Sequence, residues 1–402
     1  MTVIVVGAGI NGVTAAIELK NRGHNVVLAD PGPLPHPLAA STDISKAVRA
    51  AYGPDEDYTA LAERSIPIWR EWNKKFGIEL YHETGVLFLC QQPMRPGDFE
   101  YESARVLKQH GHPFEPFNRE EFHRRFPAFA SHRFRDGFFD PTAGFAESGR
   151  VVAILIEYAK SLGVELQEHA KVTALDDGEN CVRGVVFHPA DGGATGLRQS
   201  KSIPEKIRGD AVVIAAGAWT PYLLPSTRAF LRATGHPVFH LKPSAPELFA
   251  PERFPFFGAD ISTTGFYGFP LNQGIVKIAK HGAGREISPD SPERVVTADE
   301  HNELRAFLKT TIPSLADAPV VYTRVCMYCD TNDGDFWIAP DPERPNVVVA
   351  TGDCGHGFKF APVLGEIIAD AVECKPNPFL KKFRWRPEVK SGITKEAARF
   401  EG

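Results

Sequence analysis

The 402-residue sequence has little cysteine: six residues, at irregular spacing. That excludes the disulfide framework of a small secreted protein, and a chain of this length buries enough apolar surface to fold without such staples. Long hydrophobic runs are also missing, since no window approaches the roughly 18 uninterrupted apolar residues of a membrane helix. Nor is there an excess of positive charge. A formal net charge of −5 leaves no basic footprint for nucleic acid. The opening MTVIVVGAGI lacks the basic segment, apolar stretch and cleavage site of a leader, and ARFEG is no peroxisomal address. No internal repeat is found. These absences predict a cytoplasmic protein with reduced thiols and without membrane or nucleic-acid partners. Its length predicts two domains.

What is present begins at once. Residues 3–6 (VIVV) form an apolar, β-branched run suited to a strand buried on both faces. Gly7, Gly9 and Gly12 then make G-x-G-x-x-G, helix formers run from Val13 to Lys20, and Gly23 closes the helix. The next strand, NVVLAD, ends at Asp30. Strand, glycine turn, helix, strand and acid form the dinucleotide fingerprint in its full context. The glycines let backbone approach a pyrophosphate on the helix N-terminus, and Asp30 is placed to accept from a ribose hydroxyl.

Further segments belong to the same half. Residues 148–175 read as an amphipathic helix and two short strands, and 210–224 as a buried strand ending in an Ala-Gly-Ala-Trp turn at 216–219. Residues from 346 onward give a strand, a glycine-rich turn and a helix from about Ala361. The intervening stretches are rich in Pro and Phe and contain alternating runs such as GFYGFP and GIVKIAKHG, which suit a mixed or antiparallel sheet. Residues 189–205 read as a polar loop. The expected organisation is an α/β chain with a discontinuous nucleotide domain (1–83, 147–222 and 318–385). An α+β, mixed-sheet substrate domain (84–146 and 223–317) interrupts it, and 386–402 form a C-terminal tail. Such a twice-interrupted nucleotide domain points to FAD rather than NAD.

Cys326 and Cys329 form a C-x-x-C in TRVCMYCDTNDGDF. Spacing alone suits a disulfide, a metal or a redox couple. No second ligand pair at matching spacing supports zinc, and no thioredoxin-like βαβ unit surrounds the pair.

The segments GAGINGVTAAIEL, AVRAAYG, HETGVLFL, YGFPLNQGIVKIAKHG, VCMYCDT and ATGDCGHGFKF together resemble the D-amino-acid oxidase superfamily. Within it they are similar to the monomeric sarcosine oxidase and fructosyl amino acid oxidase family. The resemblance spans nearly the whole chain. It implies a Rossmann-like FAD-binding domain of the glutathione-reductase type beside a mixed-sheet substrate domain. It also implies oxidation of an N-substituted α-amino acid to an imine with release of hydrogen peroxide. A glycated amino acid as substrate, or a dehydrogenase passing electrons to a carrier, are the alternatives. DISK, ATGD and CDT look more like the fructosyl enzymes, CMY and FKF more like sarcosine oxidase.

The resemblance also assigns roles. Cys326 matches the cysteine bonded through sulfur to the flavin, which makes Cys329 incidental. Arg49 and Lys359 match the cations that hold the substrate carboxylate, although Arg49 also suits a solvated surface charge. Lys277 matches the lysine that activates oxygen. Strand parity puts it on one face with Ile275 and Ala279, an expensive place for a lysine in a core. Tyr267, His281 and Tyr328 match positions near the substrate amine. Lys46, Val172, Gly217, Trp219, Gly355 and His356 join Gly7, Gly9, Gly12 and Asp30 as expected cofactor contacts. No metal is expected. The expected partners are a small amino-acid substrate and oxygen, and the expected state is a monomer.

Overall fold

The computed structural model describes residues 1–179, 181–190, 203–389 and 398–399. The β-branched run at the start forms the strand Thr2–Val6, almost wholly buried because it lies inside a six-stranded sheet. The sheet order is Trp337–Pro340, Val347–Thr351, Ala211–Ile214, Thr2–Val6, Asn25–Ala29 and Glu165–Gln167. Neighbours are parallel except the first pair. Beginning, middle and end of the chain thus meet in one sheet, as the apolar runs predict. The helix Ile10–Asn21 packs on Ala361–Val372 and Ser148–Ser161. It starts earlier than expected, with Gly9 as its N-cap. The polar loop expected at 189–205 falls largely on residues 191–202, outside the described residues.

A second, mixed sheet carries the Phe-rich segments. Its strands are Arg285–Glu286, Leu231–Leu241, Ile275–Lys280, Phe266–Asn272, Phe256–Ala259, Val86–Cys90, Asp136–Asp140 and Glu115–Pro116. One face, with Val276, Ile278, Phe257 and Phe239, joins Leu304, Phe307 and Leu308 of the helix Ala298–Thr311 in a phenylalanine-rich core. Burying these rings supplies the folding energy that the segment's short apolar runs do not advertise. The strand Val320–Thr331 pairs antiparallel with Leu231–Leu241 along its length. Although grouped by sequence with the nucleotide half, it hydrogen-bonds to the mixed sheet and so carries Cys326 to the boundary between the two halves. A third, small sheet of Lys46–Val48, Gly144–Ala146 and Tyr81–His82 sets the chain leading into Arg49.

Candidate active site

Two adjoining cavities gather nearly every expected site residue. The first, about 1040 Å³ of empty space, opens over the parallel sheet; Gly7, Gly9, Asp30, Val172, Gly217 and Trp219 all line it. Its floor needs the glycines. A Cβ at Gly12 would lie 1.8 Å from the Gly7 carbonyl oxygen, and one at Gly7, where φ is +100°, would lie 2.5 Å from that of Ala215. Gly12 therefore packs helix on turn and does not line the cavity. The helix Ile10–Asn21 has no acid in its first turn and its Gly9 N-cap offers no side chain; the Ser41 hydroxyl accepts from the Ile10 N–H at 3.2 Å. Asp30 is buried, and its carboxylate accepts from the N–H groups of Ala8 (2.8 Å) and Gly32 (3.1 Å). Burial raises its pKa, with opposition from His36 and these two N–H groups.

The second cavity, about 510 Å³, holds the polar residues expected around a substrate, Arg49, Lys359, Tyr267, His281 and Tyr328, together with Lys46, an expected cofactor contact. Gly355 and His356, expected against the cofactor, line this cavity as well. The Lys359 ammonium donates to the Tyr52 hydroxyl (2.8 Å) and the His356 carbonyl (2.7 Å). Its own carbonyl accepts from Ser65 and Trp69, so both ends of the residue are fixed. The Arg49 guanidinium lies 4.7 Å from the Tyr52 ring centroid, so one tyrosine organises both cations. Arg49 and Lys359 are 6% and 4% exposed, which removes the solvated-surface alternative for Arg49.

Cys326 lines neither cavity, but its cluster touches a wall residue of each. It is buried in a cluster with Val238, Ala279 and Tyr328, against Ala40 of the first cavity and Tyr267 of the second. The Lys46 ammonium points to its sulfur at 3.6 Å. Burial opposes the Lys46 charge, but Cys326, Tyr267 and Asp43 outweigh it and raise the pKa. Cys329 projects from the opposite face of the strand, where it joins the cluster with Ile4, Val212 and Trp337 and also lines the first cavity. Burial pushes its thiol up to about 12, which keeps it protonated. Neither cysteine is in a disulfide, and no metal-binding group occurs among the described residues. Strand parity thus separates the two sulfurs of the C-x-x-C.

Lys277 is as buried as its apolar strand suggests, but it lines neither cavity. It lies behind the second, its ammonium 4.9 Å from the Phe269 ring centroid. There it bonds to the Asp43 carboxylate (2.6 Å) and the Ser45 carbonyl (2.5 Å). His240 holds the other Asp43 oxygen at 3.0 Å. Asp43, Tyr52, Asp330 and Arg399 are site-building residues that motif spacing did not single out.

The FAD dependent oxidoreductase family matches residues 2–371. The chain belongs to that family. Monomeric sarcosine oxidase from Bacillus sp. (strain B-0618) is 30% identical over 401 residues, covering 98% of each chain. N-methyl-L-tryptophan oxidase from Yersinia pestis (strain Pestoides F) is 27% identical over 378 residues, 93% of this chain and 95% of that one. Among solved structures, fructosyl amine:oxygen oxidoreductase (Amadoriase I) from Aspergillus fumigatus has a TM-score of 0.82 at 23% identity. It covers all of this chain and 93% of its own, and shows that the fold is shared.

The first cavity of this FAD-dependent oxidoreductase fits the dinucleotide. Besides the glycine floor and the helix N-terminus, its wall carries two buried polar atoms with no hydrogen-bond partner among the described residues, Asn11 Oδ1 and His36 Nε2. Such atoms are costly unless a bound group satisfies them. No helix among the described residues is long and apolar enough to cross a membrane.

Proposed function

We propose that this FAD-dependent oxidoreductase oxidises an N-substituted α-amino acid, N-methylated in the simplest case, at the carbon on the nitrogen substituent. The observation that carries this reading is the pairing of two buried cations, Arg49 and Lys359, on one cavity wall beside the dinucleotide cavity. Two buried cations on one cavity wall suit a carboxylate, Arg as a planar fork and Lys as a point charge. Sarcosine oxidase and N-methyl-L-tryptophan oxidase, both named for N-methyl amino acids, are similar over nearly the full chain.

Bound FAD supplies the redox chemistry, accepting a hydride equivalent and passing the electrons to oxygen to give hydrogen peroxide, while water hydrolyses the released imine. The chain's own residues bind, orient and exclude water. Arg49 and Lys359 fix the carboxylate end, held by Tyr52 and the His356 carbonyl. Tyr267, His281 and Tyr328 enclose the amine end; burial raises the phenol pKa of both tyrosines, so they serve as neutral hydroxyls. Lys277 keeps a positive charge behind this wall for the oxygen half of the reaction. Cys326, buried against Ala40 of the first cavity's wall and Tyr267 of the second's, carries the flavin through a thioether in this reading. Six unpaired cysteines, with Cys181 and Cys374 exposed, suit a cytoplasmic protein.

A peroxide-coupled screen tests the reading, with N-methyl, cyclic imino and glycated amino acids set against amines of the same shape without a carboxylate. Peroxide is expected from one of the amino-acid classes and little from the amines. Equal rates from amines lacking the carboxylate would remove the role given to Arg49 and Lys359.

A further inference from the structure

Arg399 lies beyond residue 371, where the family match ends, yet its side chain and that of Asp330 are each only 1% exposed. The guanidinium grips Asp330 with two bonds, 2.7 and 2.8 Å, and donates a third of 2.9 Å to the Cys354 carbonyl. Burying an ion pair is favourable only when further hydrogen bonds complete it. Here Thr234 donates to Asp330 at 2.5 Å, and Thr234 in turn meets His236 Nε2 at 3.1 Å. The network therefore ties three elements together: the strand Val320–Thr331, the strand Leu231–Leu241 and the turn at 352–357.

Tyr328 lies between these elements. It shares a strand face with Asp330, two residues on. Its ring stacks on His236 with centroids 3.8 Å apart, and the Arg399 guanidinium carbon lies 5.7 Å from its centroid. On the turn, Gly355 has φ of +77°, and a Cβ there would come within 2.1 Å of the Tyr328 ring. Tyr328 and Gly355 are both wall residues of the second cavity. The turn leads directly into Phe358–Phe360, which carries Lys359.

We propose that Arg399 is a positioning residue for the substrate cavity, clamping the Asp330 end of one strand to the Cys354 carbonyl so that the Tyr328 wall keeps its register with Lys359. Arginine suits the task because its rigid fork bonds a carboxylate with one edge and a carbonyl with the remaining N–H groups. The inference rests on reading the second cavity as the substrate site. Removing Arg399 alone strands the Asp330 charge and endangers folding, so the informative variant is the double change Asp330→Asn/Arg399→Met, which deletes both charges.

The test titrates the flavin-loaded protein with acetate, followed by flavin absorbance, and pairs this with kinetics on the best amino acid of the screen and with thermal melting. The double variant is expected to melt near the wild type, to bind acetate about tenfold more weakly, and to raise KM more than it lowers kcat. A double variant that binds acetate as the wild type does, with unchanged KM, overturns the role of Arg399 alone. So does one that simply fails to retain its fold, because the network then serves stability. A wild-type spectrum indifferent to acetate overturns the reading of the cavity itself, and this inference with it.

Discussion

The Lys277 ammonium lies 2.6 Å from the Asp43 carboxylate, and neither side chain is more than 2% exposed. Burial lowers the lysine to about 8, and Asp43 offsets only part of that loss. Asp43 is also penalised by burial, but Lys277, His240 and Arg324 overcome this and hold it well below the ordinary carboxylate range. The cation behind the cavity thus depends on one carboxylate.

If that cation serves oxygen, Lys277→Met should slow reoxidation of the reduced protein at least a hundredfold, about 2.7 kcal/mol of barrier, as for loss of one preorganised electrostatic group. Anaerobic reduction by substrate should change far less. Stopped-flow measurement of the two half-reactions decides it, and equal losses in both would contradict the assignment.

A pH dependence follows with a definite sign. The charge on Lys277 disappears as pH rises through about 8, so the reoxidation rate should fall above that value. Stability should move the other way. Between about 8 and the ordinary lysine value of 10.5 the unfolded chain binds this proton and the folded chain does not, so this residue makes stability rise with pH across that window. Asp43 stabilises above its ordinary 3.8, and its contribution is lost as pH falls through its depressed folded value. Asp43→Asn should shift the fall in reoxidation to lower pH. A profile flat from pH 7 to 10 in wild type and variant would show that Lys277 does not titrate in the step.

Attachment of the flavin should depend on one cysteine of the pair. Acid-precipitated wild type should stay yellow, Cys326→Ser should release its colour to the supernatant, and Cys329→Ser should remain yellow. Cys329 points to the opposite side of the strand; although it borders the first cavity, it packs in an apolar cluster and its thiol is pushed up to about 12. Colour in the wild-type supernatant would exclude a thioether.

Gly355→Ala should be destabilising out of proportion to one methyl group. The new Cβ would enter the Tyr328 ring, and φ of +77° is unfavourable for any side chain. Overpacking of about 1–3 kcal/mol and a left-handed residue of about 1–2 kcal/mol together predict a clear drop in denaturant midpoint. An unchanged midpoint would mean that the ring moves freely, contrary to its place between His236 and the turn.

The parts legible in the sequence were those written in short-range order. Gly7 to Asp30 encode strand, turn, helix and strand within one βαβ unit. Lys277 was readable as a buried cation because its own strand is apolar. Its partner was not, since Asp43 reaches it only through long-range packing of the nucleotide half on the mixed sheet. Arg399, in the charged stretch KEAARFEG, has the local look of a solvated residue; only tertiary contact reveals Asp330. The strand Val320–Thr331 joined the mixed sheet for the same reason: its pairing with Leu231–Leu241 leaves no trace in either segment's own periodicity.

The central claim is that substrate is an amino acid gripped by its carboxylate through Arg49 and Lys359. Its most direct test compares sarcosine with dimethylamine, which lacks the carboxylate, in wild type and Arg49→Ala. A charge-assisted bond of about 1.5–3 kcal/mol predicts that Arg49→Ala weakens sarcosine binding roughly ten- to a hundredfold. Dimethylamine should be a poor substrate for the wild type and no worse for the variant. Dimethylamine turned over by the wild type as well as sarcosine is, with equal sensitivity of both to the mutation, would contradict the account.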